Sequence, residues 1–387
     1  MLLTGGRIKY MRILYIANAR MPTEKAHGLQ IVKSVIAWKK LGVDVKLLVP
    51  RRCNEIAEKI EDYYSLPWPI EMIRVGGHLR FLEKFSHRLY FRWQRLEFGI
   101  CAILYSLSHP SEAVYSRQLG ICTALSLLGK MAVYEDHEPR NSWRWLYGFF
   151  LKLIKRKILV AENLRFYYEQ LGIDRNSYQV APNGVDLEEF SQVGRDTRIW
   201  SNHFNLRAGE RVVLYVGHFY KWKGVYTLLD AASLIQGWVV MIGGTKEDST
   251  AVRKYMDDHN IHNVSLGEFL PHHEVIQYLK SADVLVLPNI GYEERSARYT
   301  TPLKLFEYLA AGVPLVASDL PSFSNYLRNE NNCLLVPPDN REALAAAINR
   351  LLGGGDWVDQ VVKRAGEQVK AFSWDARMSK IHNFIIH

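Results

Sequence analysis

Residues Thr300 to Asp319 read TTPLKLFEYLAAGVPLVASD and place chemistry-bearing side chains at the start of a helix. Thr301 suits an N-cap and Pro302 the first helical position. The helix is expected to run to Ala311 and to be closed by Gly312. Such a start offers free backbone N–H groups and the positive end of a dipole, which is a phosphate site. Lys304 and Glu307 lie three apart and share a helix face. A lysine near the start can meet phosphate, and a glutamate one turn deeper can accept two hydrogen bonds from a ribose diol. Spacing alone fits a surface Lys–Glu pair equally well. A second stretch, YVGHFYKWKGV from Tyr215 to Val225, ends a strand at Val216, turns at Gly217 and opens a helix after Lys223-Gly224. A glycine turn with lysines near a helix start is again anion chemistry, with Lys221 and Lys223 as phosphate partners. Read alone, it also fits a basic surface loop.

The elements that must hold these residues alternate. Short β-branched runs appear at Ile13–Ala17, Val45–Val49, Ala113–Tyr115, Ala132–Glu135, Ile158–Val160 and Tyr178–Ala181, and again at Val212–Val216, Val239–Ile242, Val264–Leu266, Val284–Leu287, Leu315–Ala317 and Leu334–Val336. Helical stretches separate nearly all of them, which predicts an α/β protein with parallel sheets covered on both faces. A chain of 387 residues exceeds one ordinary core and fits two. The junction is expected near Phe190 to Asn205, giving domains 11–195 and 196–371. Two doubly wound domains facing across a cleft would hold ligands at the carboxyl ends of their strands.

Composition narrows the classes. With 48% hydrophobic and 23% charged residues, the chain is globular. Residues 1–195 carry 29 of the 49 Lys and Arg and 19 of the 40 Asp and Glu, a net of +10 that exceeds the +9 of the whole chain. A basic half predicts an anionic partner, yet no zinc-finger, helix-turn-helix or RNA-binding signature is present, so nucleic acid is not expected. The four cysteines, Cys53, Cys101, Cys122 and Cys333, lack metal or redox spacing and point to a reducing, cytoplasmic compartment. Met1 to Tyr10 carries no apolar h-region and reads as a leader ahead of a first strand opened by Met11. The longest apolar run, Phe98–Leu107, is too short to span a bilayer and reads as a buried helix.

Taken in order, these stretches resemble family 4 of the retaining glycosyltransferases, which has the GT-B architecture of two Rossmann-like domains. The resemblance runs from MRILYIAN and Gly28 through PNGVD (Pro182–Asp186), the VG…KG turn, LGEFLP (Leu266–Pro271), SADVLVLPN (Ser281–Asn289) and LKLFEYLAAGVPLVASDLPS to FSWDARMSKI (Phe372–Ile381). The last looks like the family's final helix, so residues 372–387 would pack back on the first domain. The resemblance implies transfer of a sugar from a nucleotide-sugar donor with retention of anomeric configuration. By it, Glu307 would hold the donor ribose, Lys223 the diphosphate, and the backbone at Leu303 and Lys304 the distal phosphate. Phe269 would lie beside the nucleobase, and Gly28 would let its loop approach the diphosphate.

Three departures stand out. The family often carries a glutamate eight positions before the one matched by Glu307; here that position is Tyr299, and Glu293 or Glu294 is the candidate substitute. The arginine that often follows the phosphate-turn glycine Gly217 is His218. Ser116-Arg117 stands where a histidine is usual after the middle strand. His137, in VYEDHEP just past a strand, is the candidate contact to the donor sugar or acceptor, or else a loop histidine bonded to Glu135 or Asp136. Arg117 has a similar place. The leaving diphosphate would be met by Lys223, Lys304 and the helix start, and no Asp-x-Asp pair is found to hold a metal, so neither metal nor cofactor is expected.

The segment Arg80–Glu97 carries Arg80, Lys84, Arg88, Arg92 and Arg95 on one helical face and Phe81, Phe85, Leu89, Trp93 and Leu96 on the adjacent one. It fits an anionic membrane surface, with Trp143–Lys157 as a second aromatic and basic stretch, and it fits a core-packing helix equally. The partners expected are a nucleotide-sugar donor, a glycan or lipid-linked acceptor of cell-surface polysaccharide or glycolipid synthesis, and the inner face of a membrane. A sugar-nucleotide epimerase and a non-catalytic glycosyltransferase-like subunit are the other readings.

Overall fold

The computed structural model describes residues 11–78, 87–140, 142–299 and 302–387. The chain forms two compact units, one of residues 11–160, 164–181 and 374–387, the other of residues 161–163 and 182–373.

The first unit is a seven-stranded sheet of β1 (Arg12–Ile16), β2 (Asp44–Pro50), β3 (Glu71–Val75), β4 (Ala113–Ser116), β5 (Ala132–Asp136), β6 (Arg156–Leu159) and β7 (Tyr178–Val180). Its helices are α1 (Ala26–Lys40), α2 (Ile60–Tyr63), α3 (His87–Ser108), α4 (Leu119–Leu127), α5 (Arg144–Lys152) and α6 (Leu164–Gln170). In the second unit come α7 (Leu187–Gln192), α8 (Arg198–Phe204), β8 (Val212–Val216), α9 (Val225–Ala232), β9 (Trp238–Ile242), α10 (Lys246–Asp258), β10 (Val264–Gly267), α11 (His272–Ser281), β11 (Val284–Leu287), α12 (Leu303–Ala310), β12 (Leu315–Ser318), β13 (Leu334–Val336), α13 (Arg341–Leu352) and α14 (Asp356–Val369). The last helix, α15 (Trp374–Ile386), belongs to the first unit and packs on α1.

All strand pairs between named strands are parallel, in the orders β3-β2-β1-β4-β5-β6-β7 and β10-β9-β8-β11-β12-β13. Parallel strands need crossover helices, which cover both faces and make the strands apolar throughout. In β8, Val212 and Leu214 enter one apolar cluster while Val213 and Tyr215 enter the other, as the two-residue period of a strand requires. In the first unit Tyr15, Trp38 and Tyr115 meet edge to face, with ring centres 4.9–6.2 Å apart. Strand order reverses at β1/β4 and at β8/β11, and the crevice outside those carboxyl ends is where such sheets take ligands.

Every strand expected from the sequence is present. β3 is an addition: its EMIRV sequence carries charges because it is a partly exposed edge strand. The passage between units falls at Ala181–Pro182, earlier than 195–196, because Val185 and Phe190 are buried in the second unit's core. Phe98–Leu107 is not a buried helix but half of α3. Tyr90, Gln94, Phe98, Ala102 and Ser106 face inward, while Ile100, Leu104 and Leu107 are exposed. Pro302 is the N-cap of α12 and not its first residue, and Gly312 follows the C-cap Ala311 in the left-handed region. Thr300 and Thr301, and Arg80, Phe81, Lys84 and Phe85, lie outside the described residues.

Candidate functional site

In the second unit the site is built at the carboxyl ends of β8 and β11. β8 ends at Val216, whose N–H donates to the Tyr308 hydroxyl at 2.9 Å, tying α12 to the strand. Gly217 follows with φ +137°, and its Cα lies so close to the Lys304 amine that a Cβ would sit 1.8 Å from Nζ. Glycine at this turn therefore leaves the space that the lysine head occupies. The chain then rises through His218, which stacks on Tyr220 with ring centres 5.1 Å apart. Gly224 opens α9 at φ +71°, where a Cβ would lie 1.6 Å from the Pro288 carbonyl oxygen. The turn before α9 and the strand end at Pro288 are thus locked together by backbone approach.

Lys223 and Lys304 are both half-buried, and neither forms an ion pair among the described residues. The Lys223 amine lies 5.1 Å from the Trp222 ring centre, and the Lys304 amine 4.4 Å from that of Tyr215. Burial pulls Lys223 down to about 8. Burial, and then the charge of Lys223, hold Lys304 well below the ordinary lysine value. Two desolvated lysines, one of which lowers the other, beside the first turn of α12 have the chemistry to take an anion. An anion would raise both pKa values again, so its binding carries a proton with it. Nucleoside diphosphate affinity is therefore expected to be highest below about pH 8 and to fall by up to about tenfold per pH unit above it. Calorimetric titrations across that range check this; an affinity flat to pH 9.5, roughly a unit short of an ordinary lysine's pKa, removes Lys223 from the phosphate role.

Glu307 is buried one turn into α12 and its Oε1 accepts from His272 Nε2 at 2.8 Å. His272 opens α11 and was not singled out in the sequence; the histidine pair beginning α11 was its only signal. Leu303 and Lys304 occupy the first two positions of α12, and Phe269 is 49% exposed in the loop after β10. Glu293 and Glu294 precede a π-helical turn, Arg295–Tyr299, whose Tyr299 is partly exposed. No interaction described brings Glu293, Glu294 or Tyr299 to Lys304 or Glu307.

In the first unit Ser116-Arg117 and His137 stand just past β4 and β5. Glu135, fully buried, receives His137 Nε2 at 2.6 Å and Arg117 Nε at 3.0 Å on one oxygen and Arg377 Nη2 at 2.8 Å on the other. Gln30 donates to Glu135 as well, at 3.1 Å, as does the Tyr115 hydroxyl. Burial alone would raise the Glu135 carboxyl, but Arg377, Arg117 and His137 outweigh it and hold it well below the usual range. Burial and then Arg117 lower His137, and burial and then Arg117 pull His27 down to about 4. His27 carried no motif signal in the sequence; Glu135 was named there only as a strand end and a bond partner of His137, and Arg377 lay within FSWDARMSKI without a role of its own. Gly28 lies in the first turn of α1, where a Cβ would meet the Tyr64 hydroxyl at 2.2 Å; the space beside it is filled by that side chain.

Residues 210–353 match the family described as glycosyl transferases group 1, a span that lies wholly within the second unit. The chain is 26% identical over 93% of its length to TuaC of Bacillus subtilis (strain 168), a glycosyltransferase named for teichuronic acid biosynthesis, covering 94% of that protein. It is 30% identical to the phosphatidyl-myo-inositol mannosyltransferase of Mycolicibacterium smegmatis over 59% of this chain and 56% of that one. The sucrose-phosphate synthase of Thermosynechococcus elongatus has the same fold, with a TM-score of 0.75 at 19% identity over 96% of this chain and 98% of that one. Two parallel-sheet Rossmann-like units are the GT-B architecture. Over nearly its whole length the chain is similar to glycosyltransferases of this kind, and the family match itself falls on its second unit.

Proposed function

We propose that the chain is a retaining hexosyltransferase that takes its sugar from a nucleoside-diphosphate donor held by the second unit. The observation that carries this is a pair of desolvated lysines without an ion-pair partner among the described residues, Lys223 in the turn before α9 and Lys304 in the first turn of α12 beside buried Glu307. Breaking a sugar–diphosphate bond puts negative charge on the leaving oxygen, and preorganised cations at that place stabilise it most when the charge develops. Glu307 takes the ribose diol, Phe269 flanks the base, and the first N–H groups of α12 at Leu303 and Lys304 meet the distal phosphate. Gly217 and His218 shape the turn, and the protein supplies leaving-group charge without a metal. His137 and Arg117 contact the donor sugar or acceptor, with Glu293, Glu294 and Tyr299 as further sugar contacts. A panel of nucleotide sugars, assayed for transfer and hydrolysis, tests this reading. Transfer with an inverted product overturns the retaining assignment, interconversion of the free donor without transfer makes the protein an epimerase, and donor binding without turnover makes it a binding subunit.

The acceptor belongs, on this reading, to cell-surface polysaccharide or glycolipid synthesis, reached at an anionic membrane from the cytoplasmic side. Among the described residues no helix is long and apolar enough to cross a membrane, so the membrane contact is peripheral. Its support is α3, where Trp93, Leu96, Ile100, Leu104 and Leu107 recur at helical spacing and are 44–60% exposed. Arg88, Arg92 and Arg95 are exposed on the same helix. A line of large apolar side chains left in solvent beside arginines fits the boundary of an anionic bilayer. Trp143 and Trp145, each 71% exposed, add aromatic anchors beside Arg144 and Lys152. Each basic side chain contributes about 1 kcal/mol at such a surface, screened by salt. Flotation with anionic vesicles is expected at low salt, to fade at high salt, and to vanish when Arg88, Arg92 and Arg95 become Glu, with donor hydrolysis retained. Absence of flotation at low salt returns α3 to a structural role and favours a soluble acceptor.

A further inference from the structure

The buried carboxylate of Glu135 gathers four hydrogen-bond donors and the ion-pair contact of Arg117 from four parts of the chain, and these partners determine its state. Its Oε1 faces Gln30 Nε2, Arg117 Nε and His137 Nε2, and its Oε2 faces Arg377 Nη2 and the Tyr115 hydroxyl. Two guanidinium groups hold it ionised, and an ionised carboxylate only accepts. The proton in the 2.6 Å contact therefore sits on His137 Nε2. A carboxylate beside an imidazole ordinarily favours the imidazolium. Here burial and the arginines Arg117 and Arg377 outweigh Glu135 and lower His137, so the ring stays neutral. A neutral ring protonated at Nε2 presents Nδ1 as a lone-pair acceptor. Nδ1 has no partner among the described residues, and the side chain is 32% exposed. His137 also follows Asp136, the last residue of β5, and so stands at the carboxyl edge where parallel sheets take ligands.

We propose that Glu135 is a positioning residue that fixes His137 as a neutral hydrogen-bond acceptor for a substrate hydroxyl, held in place from α15 by Arg377. This rests on reading His137 as a contact to the sugar or the acceptor. A neutral acceptor nitrogen selects an O–H donor and repels phosphate and carboxylate oxygens, so the group it reads is a sugar hydroxyl. Arg377 makes the arrangement depend on α15, because its guanidinium also donates to the Ala181 carbonyl at 3.3 Å and lies over Trp374. The last helix thereby reaches the strand edge from 242 positions away in sequence.

The test uses the full chain. Nitrogen-15 NMR of the histidine rings is expected to show His137 protonated at Nε2 and bare at Nδ1 between about pH 6 and pH 8. Glu135→Gln leaves a carbonyl for Nε2 but sets an amide donor against Arg377, so the tautomer is expected to average. In that variant the KM for the sugar substrate should rise by roughly tenfold with kcat changed by less than about threefold, the mark of a contact made in ground and transition states alike. His137→Asn places a carbonyl oxygen near the Nδ1 position and is expected to retain several-fold more kcat/KM than His137→Ala. Nucleoside diphosphate binding is expected to be unchanged in all three variants; its loss would indict the donor site instead. An imidazolium or an Nδ1-protonated ring at about pH 7 in the parent protein overturns the proposal on its own, even if no sugar transfer is found. So does Glu135→Gln with the parent's tautomer and KM.

Discussion

Replacing Lys304 by methionine is expected to cut turnover by about 10²–10³-fold, the usual loss when one preorganised charge is removed from a developing anion, while leaving the protein as stable as the parent or more so. The two effects share one cause. The Lys304 ammonium is desolvated, lies against Gly217 and Tyr215, and has a second lysine as its charged neighbour. It is a cost to the fold that, on the proposed function, a bound diphosphate offsets. Methionine keeps the unbranched stem and drops the charge, so the packing survives. The pH dependence follows the same logic. A lysine whose folded pKa lies below its ordinary value of 10.5 destabilises the fold fully at pH values below that folded pKa. The unfolded chain then binds the extra proton, so the parent's stability rises as pH climbs from the folded value toward 10.5. The methionine variant should gain less over that interval. A variant with normal turnover and a lowered melting temperature would show that Lys304 is structural and that the phosphate charge lies elsewhere.

Glu135→Ala is expected to be the most destabilising single change in the first unit. It leaves Arg117 and Arg377 buried without their common counter-ion and removes the acceptor for Gln30 and Tyr115. Stranding one side of a buried ion pair costs about 3–5 kcal/mol, which corresponds to a fall of roughly 10 °C in the unfolding of a domain of this size. With two units, the loss should appear in the transition of the first alone. The sign with pH is opposite to that of the lysine. Glu135 titrates well below the ordinary carboxyl value of 4.5, so its contribution is complete above that value and is lost as pH falls through the folded pKa. The gap between parent and variant should therefore close in acid. A melting temperature within about 2 °C of the parent at neutral pH would show that the carboxylate holds neither arginine in solution.

These two positions mark how far local pattern reaches. Lys304 could be found from sequence because what surrounds it is sequential: a proline, a helical run with its glutamate one turn on, and a closing glycine all lie within a few residues. Short-range propensity settles such an element almost wherever it is placed. All but one of the strands were legible for the same reason, as short apolar runs of three to five residues. β3 was not, because an edge strand half in solvent need not be apolar.

The amino-acid sequence by itself determined the alternation of strands and helices, the two-domain class and the glycine turn with its lysines. It did not determine which residues meet across the sheets. Gln30, Tyr115, Arg117, His137 and Arg377 converge on Glu135 only because β1, β4 and β5 are neighbours and α15 returns to pack on α1. His272 reaches Glu307 from 35 residues away for the same kind of reason. The apolar stripe of α3 shows the same limit. Its helical spacing fits a buried face and an exposed one alike, and only the packing of Tyr90, Gln94, Phe98 and Ala102 inward turned Trp93, Leu96 and Ile100 to solvent. Periodicity fixes that a helix has faces; the tertiary fold decides which of them is covered, because coverage is a property of the neighbours and not of the segment.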